Sequence, residues 1–132
     1  MILADTSAWA EYYRKTGSPL NRAVATLVDQ PAELAVTEPV IMELLAAGRS
    51  DERLARVRHR MLSLTMLRVG ALETYEQAAV IQRTCRSRGE TVRSMIDCLI
   101  AAVAIREGAS ILHGDRDFDA IARHTGLQIE PV

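Results

Sequence analysis

Four carboxylates stand in apolar surroundings where a folding chain ordinarily places none. Asp97 is the sole polar side chain in the ten residues 96–105, IDCLIAAVAI, a stretch that is apolar on every side and so predicts a helix buried around its circumference. Glu43 is the one acid within residues 40–47, VIMELLAA. Asp5 directly follows the apolar run of residues 1–4, and Asp115 follows ILHG at residues 111–114. A buried ion is costly unless something compensates it. The dipole of a helix starting near Ser94 would offset only ~0.3–1 kcal/mol for Asp97, enough to explain a surface acid but not one on a core helix.

Carboxylates gathered in one crevice repel one another and take up protons unless a cation holds them. No Cys/His ligand set is present, so the cation implied is a hard one. Mg2+, with Mn2+ as a substitute, suits all-oxygen coordination and keeps waters, leaving room for phosphate oxygens. The chemistry that follows is metal-assisted hydrolysis of a phosphodiester, with Asp5, Glu43, Asp97 and Asp115 as both catalytic and metal-binding candidates. Thr6 and Ser7 would orient a water or a phosphate at a helix start.

Short apolar runs alternate with longer helical patterns, which predicts an α/β fold of βαβ units around a parallel sheet. Strands are expected over residues 1–4, 34–36, somewhere within 62–69, 111–112 and 127–129. Thr6 or Ser7 can cap a first helix carrying Trp9, Tyr12 and Tyr13, and Ser18-Pro19 opens a second. Thr37-Glu38-Pro39 starts a third that Gly48 can stop, Ser50 caps a fourth, and residues 71–88 form a long amphipathic one closed by Gly89. Ser94 caps the apolar helix ending near Gly108, and residues 117–124 form a short last helix. In an open parallel sheet the ligand crevice lies outside the C-terminal strand ends, which sends Asp5 and Asp115 to one place.

The 132 residues, 48% hydrophobic and 25% charged, fit one domain spanning 1–132. The longest apolar stretch is about half of what a bilayer crossing needs, so no membrane span is expected. The opening residues MILAD lack a basic n-region, so no secretory signal is expected and the cytoplasm is the expected location. Cys85 and Cys98 have no metal or disulfide spacing and read as reduced structural thiols. A net charge of −1 means that any nucleic-acid affinity must come from local patches.

Asp5-Thr6-Ser7 after a strand, Glu43-Leu44-Leu45 in a helix, Asp97 with Ala101 and Ala104, and Gly114-Asp115-Arg116-Asp117-Phe118 at a strand-to-helix turn occur here in order along nearly the whole chain. In this combination the chain resembles PIN-domain nucleases, and VapC-type toxins of toxin–antitoxin pairs above all. The resemblance implies a three-layer domain with a roughly five-stranded parallel sheet flanked by helices, and an acidic Mg2+ site. It also implies endonucleolytic cleavage of RNA such as tRNA, rRNA or mRNA, a VapB-like antitoxin that holds the enzyme inactive, and a homodimer or toxin–antitoxin hetero-oligomer. By the same resemblance Asp5 and Asp97 are the principal metal ligands, Glu43 and Asp115 complete the quartet, and Asp117 is auxiliary. Glu38 competes for the glutamate role, but beside Pro39 at a helix start it has a dipole explanation, so Glu43 is preferred. Asp119 reads as a solvated first-turn acid.

Arg53, Arg56 and Arg60 fall at helical spacing and would form one basic ridge; Arg86, Arg88 and Arg93 belong to a second cluster, and either could grip RNA backbone. His113 reads as packed or capping, and Trp9, Tyr12 and Tyr13 as packing. Two competing functions remain. A phosphoryl-accepting receiver or phosphohydrolase domain would need a lysine at the site, and Lys15 is the only one in the chain. A non-catalytic domain of the same fold should have lost an acid, and none of the four is lost.

Overall fold

A computed structural model describes residues 1–132. Five short strands, β1 (Ile2–Ala4), β2 (Leu34–Val36), β3 (Thr65–Met66), β4 (Ser110–Leu112) and β5 (Gln128–Ile129), form one sheet in the order β3-β2-β1-β4-β5. Every pairing is parallel, with Leu3 opposite both Ala35 and Ile111. Leu3, Ala4, Ala35, Val36, Ile111 and Leu112 are fully buried, as expected of strands covered on both faces.

Seven helices make the crossovers: α1 (Thr6–Arg14), α2 (Pro19–Asp29), α3 (Glu38–Ala47), α4 (Asp51–Leu62), α5 (Leu72–Ser87), α6 (Met95–Glu107) and α7 (Arg116–His124). The chain runs outward from β1 through β2 to β3, then returns to β4 and β5 on the other side of β1. Right-handed crossovers therefore put α1 to α4 on one face and α5 to α7 on the other, giving three layers. The packing agrees: α1 meets α2 and α3, α3 meets α4, and α5, α6 and α7 meet one another. The reversal of strand order falls between β1 and β4, the place where open α/β sheets bind ligands.

Local chemistry sets the helix starts. Ser18, Ser50 and Ser94 each cap the helix that follows, with Asn21, Arg53 and Asp97 donating their backbone N–H groups. At α1 the cap is Asp5 itself, not Thr6 or Ser7. β1 ends at Ala4, so Asp5 keeps extended backbone angles and its Oδ1 accepts from Ala8 N–H at 3.2 Å. Asp115 does the same for α7, accepting from Asp117 N–H at 3.0 Å.

The third strand is Thr65–Met66, inside the expected window and three residues after α4 ends at Leu62. Gly48 ends α3 with ordinary extended angles, so positive φ is not its reason. A Cβ there would sit 2.0 Å from Leu54 Cδ2: the glycine lets α4 fold back closely against α3.

Candidate active site

Asp5 and Asp97 are the only charged residues among the buried ones, at 2% and 6% exposure. Each is brought there by its element: Asp5 by the end of the central strand, Asp97 by the first turn of the buried α6. Asp115 enters from the end of β4, and Asp117 from the first turn of α7. The carboxylates of Asp97, Asp115 and Asp117 offer oxygens that all lie within 4.8 Å of one another.

Asp97 Oδ2 is the one buried carboxylate oxygen in the molecule without a hydrogen-bond partner. Burial, and then the negative charges of Asp115, Asp5 and Asp117, push the Asp97 carboxyl up to about 8. Burial also raises Asp5, opposed by hydrogen bonds from Ser7 and from backbone N–H groups. A buried, unpartnered oxygen among three further acids is what a divalent cation would relieve, and an all-carboxylate donor set fits a hard cation.

Glu43 lies half-buried on α3, and its Oε1 accepts from Thr6 Oγ1 at 2.6 Å. Ser7 Oγ donates to Asp5 Oδ1 at 2.7 Å and accepts from Gly114 N–H at 2.8 Å, tying the end of β1 to the end of β4. Both hydroxyls are thus engaged in holding carboxylates and backbone. The structure therefore brings Asp5, Asp97, Asp115 and Asp117 to one crevice and attaches Glu43 through the start of α1. The tight trio includes Asp117, which sequence reasoning had set as auxiliary, while Asp5 and Glu43 stand outside it.

Glu38 is otherwise occupied: its Oε1 accepts from Val69 N–H at 2.9 Å and its Oε2 lies 3.8 Å from Arg68, clipping the β3–α5 loop. His113 is both packed and capping, as the sequence led one to expect. Its Nδ1 accepts from Asp115 N–H at 3.0 Å, so the ring proton belongs on Nε2, 3.2 Å from Asp119 Oδ1. The ring leans on Phe118 at 5.3 Å and braces the turn that presents Asp115 and Asp117. No spacing rule signals such a brace.

The basic candidates divide by location. Arg93 lines a groove of ≈ 460 Å³ together with Asp115 and Asp117. Arg53, Arg56 and Arg60 do form a ridge on α4, bordering a different groove with Tyr13 and Lys15. Arg86 and Arg88 are exposed at the end of α5 and line neither groove. Lys15 is thus away from the acids, and the receiver-type reading loses the lysine it requires. Trp9 is fully buried and stacks on Tyr13 at 6.1 Å, so these aromatics pack the fold. No helix is long and apolar enough to cross a membrane.

Comparison with known proteins bears on the family and the fold. A family model described as PIN domain matches residues 2–124. The chain is 47% identical over 129 residues to "Ribonuclease VapC11" of Mycobacterium tuberculosis, covering 97% of this chain and 96% of that one. Among solved structures, VapBC2 from Rickettsia felis, bound to a promoter DNA fragment, has a TM-score of 0.74 at 19% identity, covering 98% of each chain. VapC20 of Mycobacterium tuberculosis, described as a sarcin-ricin loop cleaving toxin, has a TM-score of 0.70 at 22% identity, covering 96% of this chain and 98% of that one. At these identities the structural likeness establishes the fold.

Proposed function

The chain belongs to the PIN domain family, and on that premise we propose that it is a Mg2+-dependent endoribonuclease, the toxin half of a toxin–antitoxin pair with a VapB-like antitoxin. The observation that carries the reading is the buried Asp97 carboxyl, which leaves Oδ2 without a hydrogen-bond partner and offers an oxygen within 4.8 Å of Asp115 and Asp117 oxygens. Curated relatives named as VapC ribonucleases support RNA as the substrate, with tRNA, rRNA and mRNA as the candidate targets. The whole of residues 1–132 serves as one catalytic domain, working as a homodimer or within a toxin–antitoxin hetero-oligomer.

Asp97, Asp115 and Asp117 would hold the cation, and Asp5 would complete its charge balance from the end of β1. When bound, Mg2+ neutralises charge on the scissile phosphate and eases ionisation of the attacking water. Asp5 and Glu43 each have one oxygen fixed, Oδ1 by Ser7 and Ala8 and Oε1 by Thr6. Oδ2 and Oε2 are left to orient the water and accept its proton. Water oxygen bonds to phosphorus, the bond to the 3′ oxygen breaks, and that oxygen takes a proton from solvent water and leaves as a hydroxyl, while the carboxylate returns its proton to solvent. The products carry 5′-phosphate and 3′-hydroxyl ends.

Purified protein incubated with total RNA in Mg2+ or EDTA tests this. Cleavage that requires Mg2+, leaves 5′-phosphates and is abolished by Asp97→Ala or Asp5→Ala is the expected result. Equal cleavage in EDTA rejects the mechanism.

A further inference from the structure

Resting on the ribonuclease reading, we propose that Arg93 and Arg116 form a subsite for an RNA backbone phosphate beside the acid cluster, and that Glu90 withholds Arg123 from it. An acid-lined crevice repels a polyanion, so a substrate strand needs cations next to it. Three arginines line the groove that contains Asp115 and Asp117: Arg93 ahead of α6, Arg116 at the first position of α7 and Arg123 in its last turn.

Their availability differs. Arg123 Nε reaches both oxygens of Glu90 at 3.1 and 3.2 Å, its NH2 makes a further contact, and His124 Nε2 closes on Glu90 Oε2 at 2.5 Å. Arg93 and Arg116 are exposed and make neither an ion pair nor a side-chain hydrogen bond. Arg116 stays unpaired even between two acids in sequence, because Asp115 turns back to cap α7 and both Asp115 and Asp117 gather on Asp97. Two free guanidinium forks bordering a metal-type acid cluster suit phosphate oxygens. Ala120 is the single hydrophobic residue lining the groove, which offers no platform for bases. The subsite therefore reads charge along the backbone and not base identity.

Binding of a fluorescein-labelled, mixed-sequence single-stranded RNA, measured by anisotropy across a salt series, tests this in full-length protein carrying Asp97→Asn so that the RNA stays intact. Arg93→Gln and Arg116→Gln each weaken binding about fivefold and lower the salt slope by about 0.7, while Arg123→Gln changes neither. Glu90→Gln releases Arg123 and tightens binding, and adding Arg123→Gln returns it to the starting value. With Asp97 intact, Arg116→Gln leaves Mn2+ affinity unchanged or stronger; a weaker affinity would make Arg116 a structural prop and overturn its assignment. Unaltered RNA affinity and slope in both free-arginine variants overturn the subsite. Equal losses for Arg123→Gln and Arg116→Gln overturn the withholding. Failure of the Asp97-intact protein to cut RNA in Mg2+ instead removes the ribonuclease reading, a result distinguishable from all of these.

Discussion

Asp97 and Glu90 are both carboxylates on the α6–α7 side of the molecule, and their surroundings treat them in opposite ways. Glu90 is gripped by Arg123 and His124, and the Arg123 hydrogen bond first of all holds its carboxyl below the ordinary glutamate range. Asp97 is buried, faces three other acids and leaves Oδ2 without a donor, so its carboxyl is pushed up to about 8. One charge is satisfied by the protein itself. The other is left without a cationic partner in the protein, so it must take up a proton or a cation, and a fold tolerates that strain where function is drawn from it. The pair separates an acid that holds structure from an acid that holds a ligand.

The largest test of that contrast is removal of the unsatisfied charge. Asp97→Asn should cut Mg2+-dependent RNA cleavage by about a thousandfold or more. It should also raise the melting temperature of the metal-free protein near pH 7, since an amide is buried without the proton uptake that folding imposes on Asp97. Lost cleavage with a lowered melting temperature would make Asp97 a structural acid like Glu90. Next in size is Ser7→Ala, which unties Asp5 from Gly114. A drop of about 10–100-fold in cleavage and in Mn2+ affinity, with little change in melting temperature, is expected for a residue that positions a ligand. An unchanged Mn2+ affinity would mean that Asp5 needs no such support.

The metal-free protein should also record the strain as a pH dependence. An unfolded aspartate ionises near ~4, whereas folded Asp97 does so at about 8. The contribution is fully present below pH ~4 and is lost as pH rises toward 8, so melting temperature should fall across that window. Saturating Mg2+ should flatten the fall, as should Asp97→Asn. A fall that persists in the variant would assign it elsewhere.

Asp97 and Glu43 were legible in the sequence because each interrupts an apolar helix, and Asp5 and Asp115 because each ends an apolar run. The parallel sheet followed from the alternation of runs and helices, and all five strands were found near their places. Asp117 was harder to weigh: an acid in the first turn of a helix has an ordinary dipole explanation, and only the backward turn of Asp115 gathers it onto Asp97. His113 was legible as a packed or capping side chain but its partner was not, since a contact made by Nδ1 on the Asp115 N–H depends on a turn geometry that no spacing encodes. The two-residue β3 fills only part of the apolar run that announced it, which begins at the last residue of α4.

The smallest effect belongs to the satisfied carboxylate, and its sign is the sharpest check on the comparison. Because folded Glu90 ionises below the ordinary range, its contribution is present above the unfolded value near ~4.3 and is lost as pH falls through the lower folded value. Glu90→Gln should therefore lower the melting temperature slightly at pH 7, less in high salt, and not at all in strong acid. Measured against pH, the difference between wild type and Glu90→Gln should grow in the wild type's favour as pH rises through the acid range. The difference between metal-free wild type and Asp97→Asn should move against the wild type over pH 4 to 8. Parallel slopes would mean that the two carboxylates answer to one shared field, and that the distinction between a held charge and a waiting one is not built into this fold.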